Sequence, residues 1–195
     1  MKRFWLVLTM LFLGGIVFSY AGEVEAMKKA VLVIAHEGFR DEELLDTKEA
    51  LEKNGIEVKV ASTELSEAKG KLGARVMPDR LFKDINMQDF DALVFVGGPG
   101  AVQYWDDPLA HKLLKEAAVS GKVVAGICSA AATLARAGIL KGKRATVFPG
   151  DSQELIANGA NYTARHVEKD GQIITADGPS AARGFGEEIA RALKK

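Results

Sequence analysis

No internal disulfide can form in this chain, because Cys128 is its only cysteine. The three histidines, His36, His111 and His166, stand far apart, and neither an HxxxH nor a CxxC spacing occurs, so no metal is expected. Surplus charge is missing too: 26 basic side chains face 26 acidic ones, with no basic run interleaved with aromatics. Nucleic acid is thereby disfavoured, since neutralising phosphates needs cations gathered on one face. The glycine-rich stretch "VFVGGPGA" is neither GxGxxG nor a P-loop with its lysine, so no nucleotide or other cofactor is expected.

Long apolar runs are scarce as well, and the longest lies at the start. "MKRFWLVLTMLFLGGIVFSYAGEVEA" has a basic beginning, an apolar run from Phe4 to Phe18 and small residues at Ser19 and Ala21. This predicts a signal peptide over residues 1–26, cleaved after Ala21 or Ala26, and a periplasmic or secreted product. The run is too short, and too broken by Gly14-Gly15, to suggest a stable membrane anchor. An alternative start at Met27 would leave the protein cytoplasmic.

What remains, residues 27–195, has the size of one domain, and 48% hydrophobic residues suffice for a substantial core. Short β-branched runs at 30–35, 56–61, 91–97 and 122–127 alternate with helical patterns, which predicts an α/β fold with a mostly parallel sheet. The runs are apolar almost throughout, as strands covered on both faces are. Asn54-Gly55 supplies a helix stop, and Asp107-Pro108 a helix start. "KGKLGARVMPD" and "ARHVEKDGQIITA" read as side hairpins, the second turning at Asp170-Gly171. A last helix covers 180–195.

In such a sheet the binding crevice lies beyond the carboxyl ends of the strands. That places His36, the Gly97-Gly98-Pro99-Gly100 run and Cys128-Ser129 on one rim. Cys128 stands where a strand turns abruptly into a helix, the joint of a nucleophile elbow. A helix N-terminus there predicts a lowered thiol pKa. The backbone N–H groups of Gly98 and Ser129 are candidates for holding an oxyanion. In the acidic run "RDEELL", Asp41 and Glu42 are expected to serve the helix dipole and solvation. Glu43, next to the apolar Leu44-Leu45, is expected to lean inward, where desolvation would raise its pKa and let it donate a hydrogen bond to the thiolate. His36 is a candidate proton relay; His111 and His166 are given no role.

The ordered motifs "GFRDEELL", "GIEVKVAS", "FDALVFVGGPGA", "GKVVAGICSAAATLARAGILKGKRATVF" and "VEKDGQIITADGPSAA" resemble the DJ-1/PfpI (ThiJ/PfpI) superfamily from about Lys29 to the C-terminus. The resemblance implies a flavodoxin-like three-layer sandwich, a homodimer or higher homo-oligomer, Cys128 as elbow nucleophile and Glu43 as its carboxyl partner. It also implies oxyanion amides at Gly98 and Ser129. Three departures stand out. Ser129 occupies the place where PfpI-like peptidases resemble one another in having histidine, and Val102-Gln103 replaces their partnering acid. Phe148-Pro149 stands where the Parkinson-associated branch often has histidine. A Cys-His-Glu peptidase is thus disfavoured.

The expected function is a cysteine-dependent hydrolase of small reactive carbonyls, glyoxalase- or deglycase-like, serving stress protection. The alternatives are a non-enzymatic redox sensor acting through Cys128 oxidation, or a weak amidase or peptidase.

Overall fold

The computed structural model describes residues 27–194; the leader expected over residues 1–26 lies outside them. Seven strands form the central sheet: β1 (Lys29–Val33), β2 (Glu57–Ser62), β3 (Arg80–Leu81), β4 (Ala92–Phe95), β5 (Val123–Ile127), β6 (Val167–Asp170) and β7 (Ile173–Ala176). Their spatial order is β6-β7-β5-β4-β1-β2-β3. Every pairing is parallel except β6 with β7. The chain runs outward from β1 to one edge and then restarts at β4 on the other side. The switch point therefore lies between β1 and β4, where crevices open in doubly wound sheets.

Among the described residues five α-helices cover the sheet: α1 (Asp41–Lys53), α2 (Pro108–Val119), α3 (Ala131–Arg136), α4 (Ser152–Ala157) and α5 (Ala182–Leu193). Leu44 and Leu51 of α1 join Phe185 and Ile189 of α5 against one face. Leu113 and Leu114 of α2 join Leu134 of α3 and Leu155 of α4 against the other. The three layers follow from strands such as "VVAGI", buried at every position. Each fully buried large apolar side chain contributes roughly 1.5–3 kcal/mol.

Helix α2 starts as expected, with Pro108 in its first turn and Asp107 Oδ1 accepting the N–H of Ala110 at 2.8 Å. Helix α1 stops at Asn54, and Gly55 takes a left-handed φ of 77°. The hairpin expected at 164–176 forms, but not as a lateral appendage. Its second strand, β7, is buried at all four positions and pairs with β5 inside the sheet. The turn at Asp170-Gly171 thus extends the sheet's edge. The hairpin expected at 69–79 is lateral: Ala68–Gly70 pairs antiparallel with Arg75–Val76 and parallel with Glu37–Phe39.

Candidate active site

Strand β5 delivers Cys128 into a left-handed backbone conformation, φ 56°, which L-residues rarely adopt. The surrounding structure must hold that strain. Gly126 leaves room for α3, since a Cβ there would lie 3.0 Å from Leu134 Cδ1 and 3.1 Å from Ala131 Cα. After Cys128 the chain makes one 3-10 turn, Cys128–Ala130, before the six residues of α3. So short a helix offers little dipole to an adjacent anion, because the macrodipole sums over aligned peptides.

Glu43 comes from the first turn of α1 and is wholly buried, as the sequence predicts. Its Oε2 accepts the N–H of Gly97 at 3.0 Å. Its Oε1 is buried without a hydrogen-bond donor among the described residues. Burial pushes the carboxyl up to about 7, while the Cys128 side chain and the Gly97 N–H draw it down. The thiol departs from the lowered pKa expected at a helix start. Burial, then the Glu43 charge, pushes it up to about 12, against a downward pull from the Ser129 hydroxyl and backbone. The charge on either group opposes a charge on the other, so the two ionise as a coupled pair, and protonation of Glu43 removes the repulsion that holds the thiol up.

A cavity of about 290 Å³ opens over Cys128. Its apolar wall is built by Pro99, Val102, Trp105, Phe148 and Pro179, and its polar groups are Arg40, Glu43, Lys71, Ser129 and Asp151. Gly98 lines the cavity with φ 104°, and a Cβ on it would meet Arg40 N and Gly38 O at 2.5 Å. Only glycine fits there, and its N–H finds no acceptor among the described residues. The Ser129 hydroxyl lies 3.7 Å from Cys128 Sγ. Trp105 Nε1 donates to Ser129 O at 2.9 Å, and the Arg136 guanidinium lies 4.8 Å from the Trp105 ring centroid. Arg136 is fixed in turn by Asp106 at 2.7 Å and Glu154 at 2.9 Å.

The structure thus brings Cys128, Glu43, Gly98 and Ser129 together and leaves His36 out. His36 does not line the cavity; its Nε2 lies 3.3 Å from Ser66 Oγ and 3.7 Å from Glu64 Oε2. The cause is local. Lys69 N–H donates to His36 O at 2.8 Å, tying the segment after β1 to the small lateral sheet. His111 Nε2 contacts Trp105 O at 2.7 Å, and His166 Nδ1 pairs with Asp177 at 2.9 Å.

Asp41 is not the solvated carboxylate expected from sequence. It is buried and accepts the N–H groups of Leu72 at 2.8 Å and Ala74 at 2.6 Å. Asp151, which sequence reasoning missed, stands against Ser129; burial raises its carboxyl and the Ser129 hydroxyl lowers it. No local pattern marks it, because a loop 22 positions after Ser129 carries it.

The sequence model of the DJ-1/PfpI family matches residues 28–192. An uncharacterized protein of Methanocaldococcus jannaschii is 44% identical over 170 residues, covering 86% of this chain and 83% of the relative. A deglycase of Pyrococcus abyssi is 32% identical over 164 residues, covering 84% and 99% respectively. The crystal structure of a ThiJ/PfpI domain protein from Brachyspira murdochii superposes with a TM-score of 0.84 at 34% identity, over 86% of this chain and 97% of that one. With the α/β sandwich, the strained Cys128 and the buried Glu43 all in one frame, the chain belongs to the DJ-1/PfpI family.

Proposed function

We propose that this protein is a cysteine-dependent enzyme that converts small reactive carbonyls, in the manner of a glyoxalase or deglycase. The observation that carries the reading is the placement of Cys128, in its strained left-handed backbone, beside the buried Glu43 carboxyl in the lining of one small cavity. The deglycase name of the Pyrococcus abyssi relative agrees with it.

For an α-oxoaldehyde the steps balance without a cofactor. Cys128 Sγ⁻ forms a bond to the aldehyde carbon, and the oxyanion is met by the N–H groups of Gly98 and Ser129 and then protonated by Glu43. The Glu43 carboxylate takes the hydrogen of that carbon as a proton and returns it to the neighbouring carbon, while the hydroxyl proton of the adduct passes to the neighbouring oxygen, leaving a 2-hydroxy thioester. Water splits the thioester into the 2-hydroxy acid and the thiol, whose proton returns to Glu43 and restores the thiolate.

The decisive experiment is turnover of methylglyoxal by wild type and Cys128→Ser. Loss of turnover to background in the variant is expected; an unchanged rate would overturn the reading.

A second reading, a redox sensor, draws on the unpartnered Glu43 Oε1, which in its protonated form suits a sulfinate oxygen on Cys128. Peroxide treatment followed by intact mass tests it. A peptidase is disfavoured because no histidine lines the cavity among the described residues. The leader would deliver a homodimer outside the cytosol; N-terminal sequencing of the processed chain and sedimentation test those two points.

A further inference from the structure

Two cations line the cavity that the chemistry above leaves unused. Arg40 precedes α1, and its Nε and Nη2 engage Glu42 at 2.8 and 3.0 Å, while Nη1 carries no hydrogen bond among the described residues. Lys71 lies in the turn between the two antiparallel strands of the lateral sheet and has no carboxylate within 4.0 Å among the described residues.

Neither position is a loose surface accident. Lys71 N–H donates to Phe39 O at 2.8 Å, which sets it beside Arg40, and Arg40 N–H donates to Gly97 O at 2.9 Å. The buried Asp41 grips the same turn through Leu72 and Ala74, and a Cβ on Gly70 would lie 2.6 Å from its carboxylate. Two backbone hydrogen bonds and one buried carboxylate therefore hold both residues in the cavity lining, Arg40 with its charge shared with Glu42 and Lys71 with no carboxylate partner among the described residues. The half-buried acid of the site, Asp151, stands against Ser129 and pairs with neither cation among the described residues.

We infer that Arg40 and Lys71 form an anion subsite, and that the cavity takes a small carbonyl compound carrying a carboxylate or phosphate group. The inference rests on the carbonyl reading above for the reacting end of the molecule, and on the two cations for the other end. A guanidinium and an ammonium lining one cavity suit the oxygens of either group, since charge-assisted hydrogen bonds to such oxygens are the strong ones. Anchored there, the ligand presents its carbonyl to Cys128 while the apolar wall of Trp105, Val102 and Phe148 excludes water from its far side.

Calorimetric titration of the full chain with oxalate and with inorganic phosphate at fixed ionic strength tests this. Wild type is expected to bind one equivalent of at least one probe, and the tighter of the two names the group. Lys71→Gln and Arg40→Gln should each weaken binding about tenfold, the loss of one charge-assisted contact. Lys141→Gln, the same charge change outside the cavity, should bind as wild type does. Absence of saturable binding to wild type, or Lys71→Gln binding as tightly as wild type, overturns the inference. Methylglyoxal turnover by the same wild-type sample separates the two ideas. Anion binding without turnover of any carbonyl sinks the enzymatic reading alone; turnover without anion binding sinks the subsite alone.

Discussion

Glu43 and Cys128 meet across Gly97: a Cβ on that glycine would lie 2.5 Å from Glu43 Oε2 and 2.7 Å from Cys128 Cβ. The carboxyl and the nucleophile reach each other only because residue 97 has no side chain. Gly97→Ala should therefore displace one of them, destabilising the fold by about 1–3 kcal/mol. The same change should slow alkylation of Cys128 by iodoacetamide. Chemical denaturation and mass-spectrometric alkylation kinetics check both. A variant that folds and reacts like wild type would show that the crowding is relieved cheaply.

The buried carboxyl makes stability depend on pH with a definite sign. Glu43 is raised from 4.5 to about 7 in the folded state, so the unfolded chain loses its proton first as pH rises. The advantage of burying the neutral acid is complete below pH 4.5 and disappears as pH climbs to about 7. At about 1.4 kcal/mol per pH unit, this amounts to about 3 kcal/mol. The stability of wild type relative to Glu43→Gln should fall by that amount over this window in urea titrations. A constant difference would mean that Glu43 ionises as freely folded as unfolded.

Proton cycling distinguishes Glu43 from a mere neighbour of the thiol. Glutamine keeps the shape and a hydrogen-bond donor but cannot give and retake a proton, so Glu43→Gln should lose about 10²-fold or more in methylglyoxal turnover. Cys128 should remain open to alkylation in the same protein. Parallel loss of both would assign Glu43 to holding the thiol rather than to moving protons.

Ser129 supplies the nearest hydroxyl to the nucleophile, 3.7 Å from Sγ, and pulls the thiol pKa down. Ser129→Ala should move the thiolate absorbance titration to higher pH and slow iodoacetamide alkylation at neutral pH about fivefold, the worth of one modest hydrogen bond. A titration that shifts downward would reverse the role given to the hydroxyl.

Much of this was legible in the chain. Apolar β-branched runs fixed on both faces the strands that carry the site, and the abrupt strand-to-helix joint marked Cys128 as an elbow. Glu43 was readable because an acid preceding Leu44 in the first turn of an amphipathic helix falls on its inner face. The lowered thiol pKa was not borne out by the geometry. Sequence showed a helix beginning at Cys128 but not that the helix is only six residues long and the thiol 8% exposed. His36 was misleading for a similar reason: its place after β1 is correct, but pairing of Glu37–Phe39 with Ala68–Gly70 turns that segment toward Ser66. Lys71 and Asp151 reach the cavity from loops distant in sequence, brought there by Asp41 and by the approach to α4, and no spacing pattern records such convergence.

The indole tethered to Ser129 has a practical consequence. Tryptophan occurs twice in the chain, as Trp5 and Trp105. From Met27 onward Trp105 is therefore the sole indole, and it sits in the cavity wall with a cation above its ring. Its emission is an intrinsic optical reporter of whatever occupies the cavity, readable in the unlabelled protein during a single turnover.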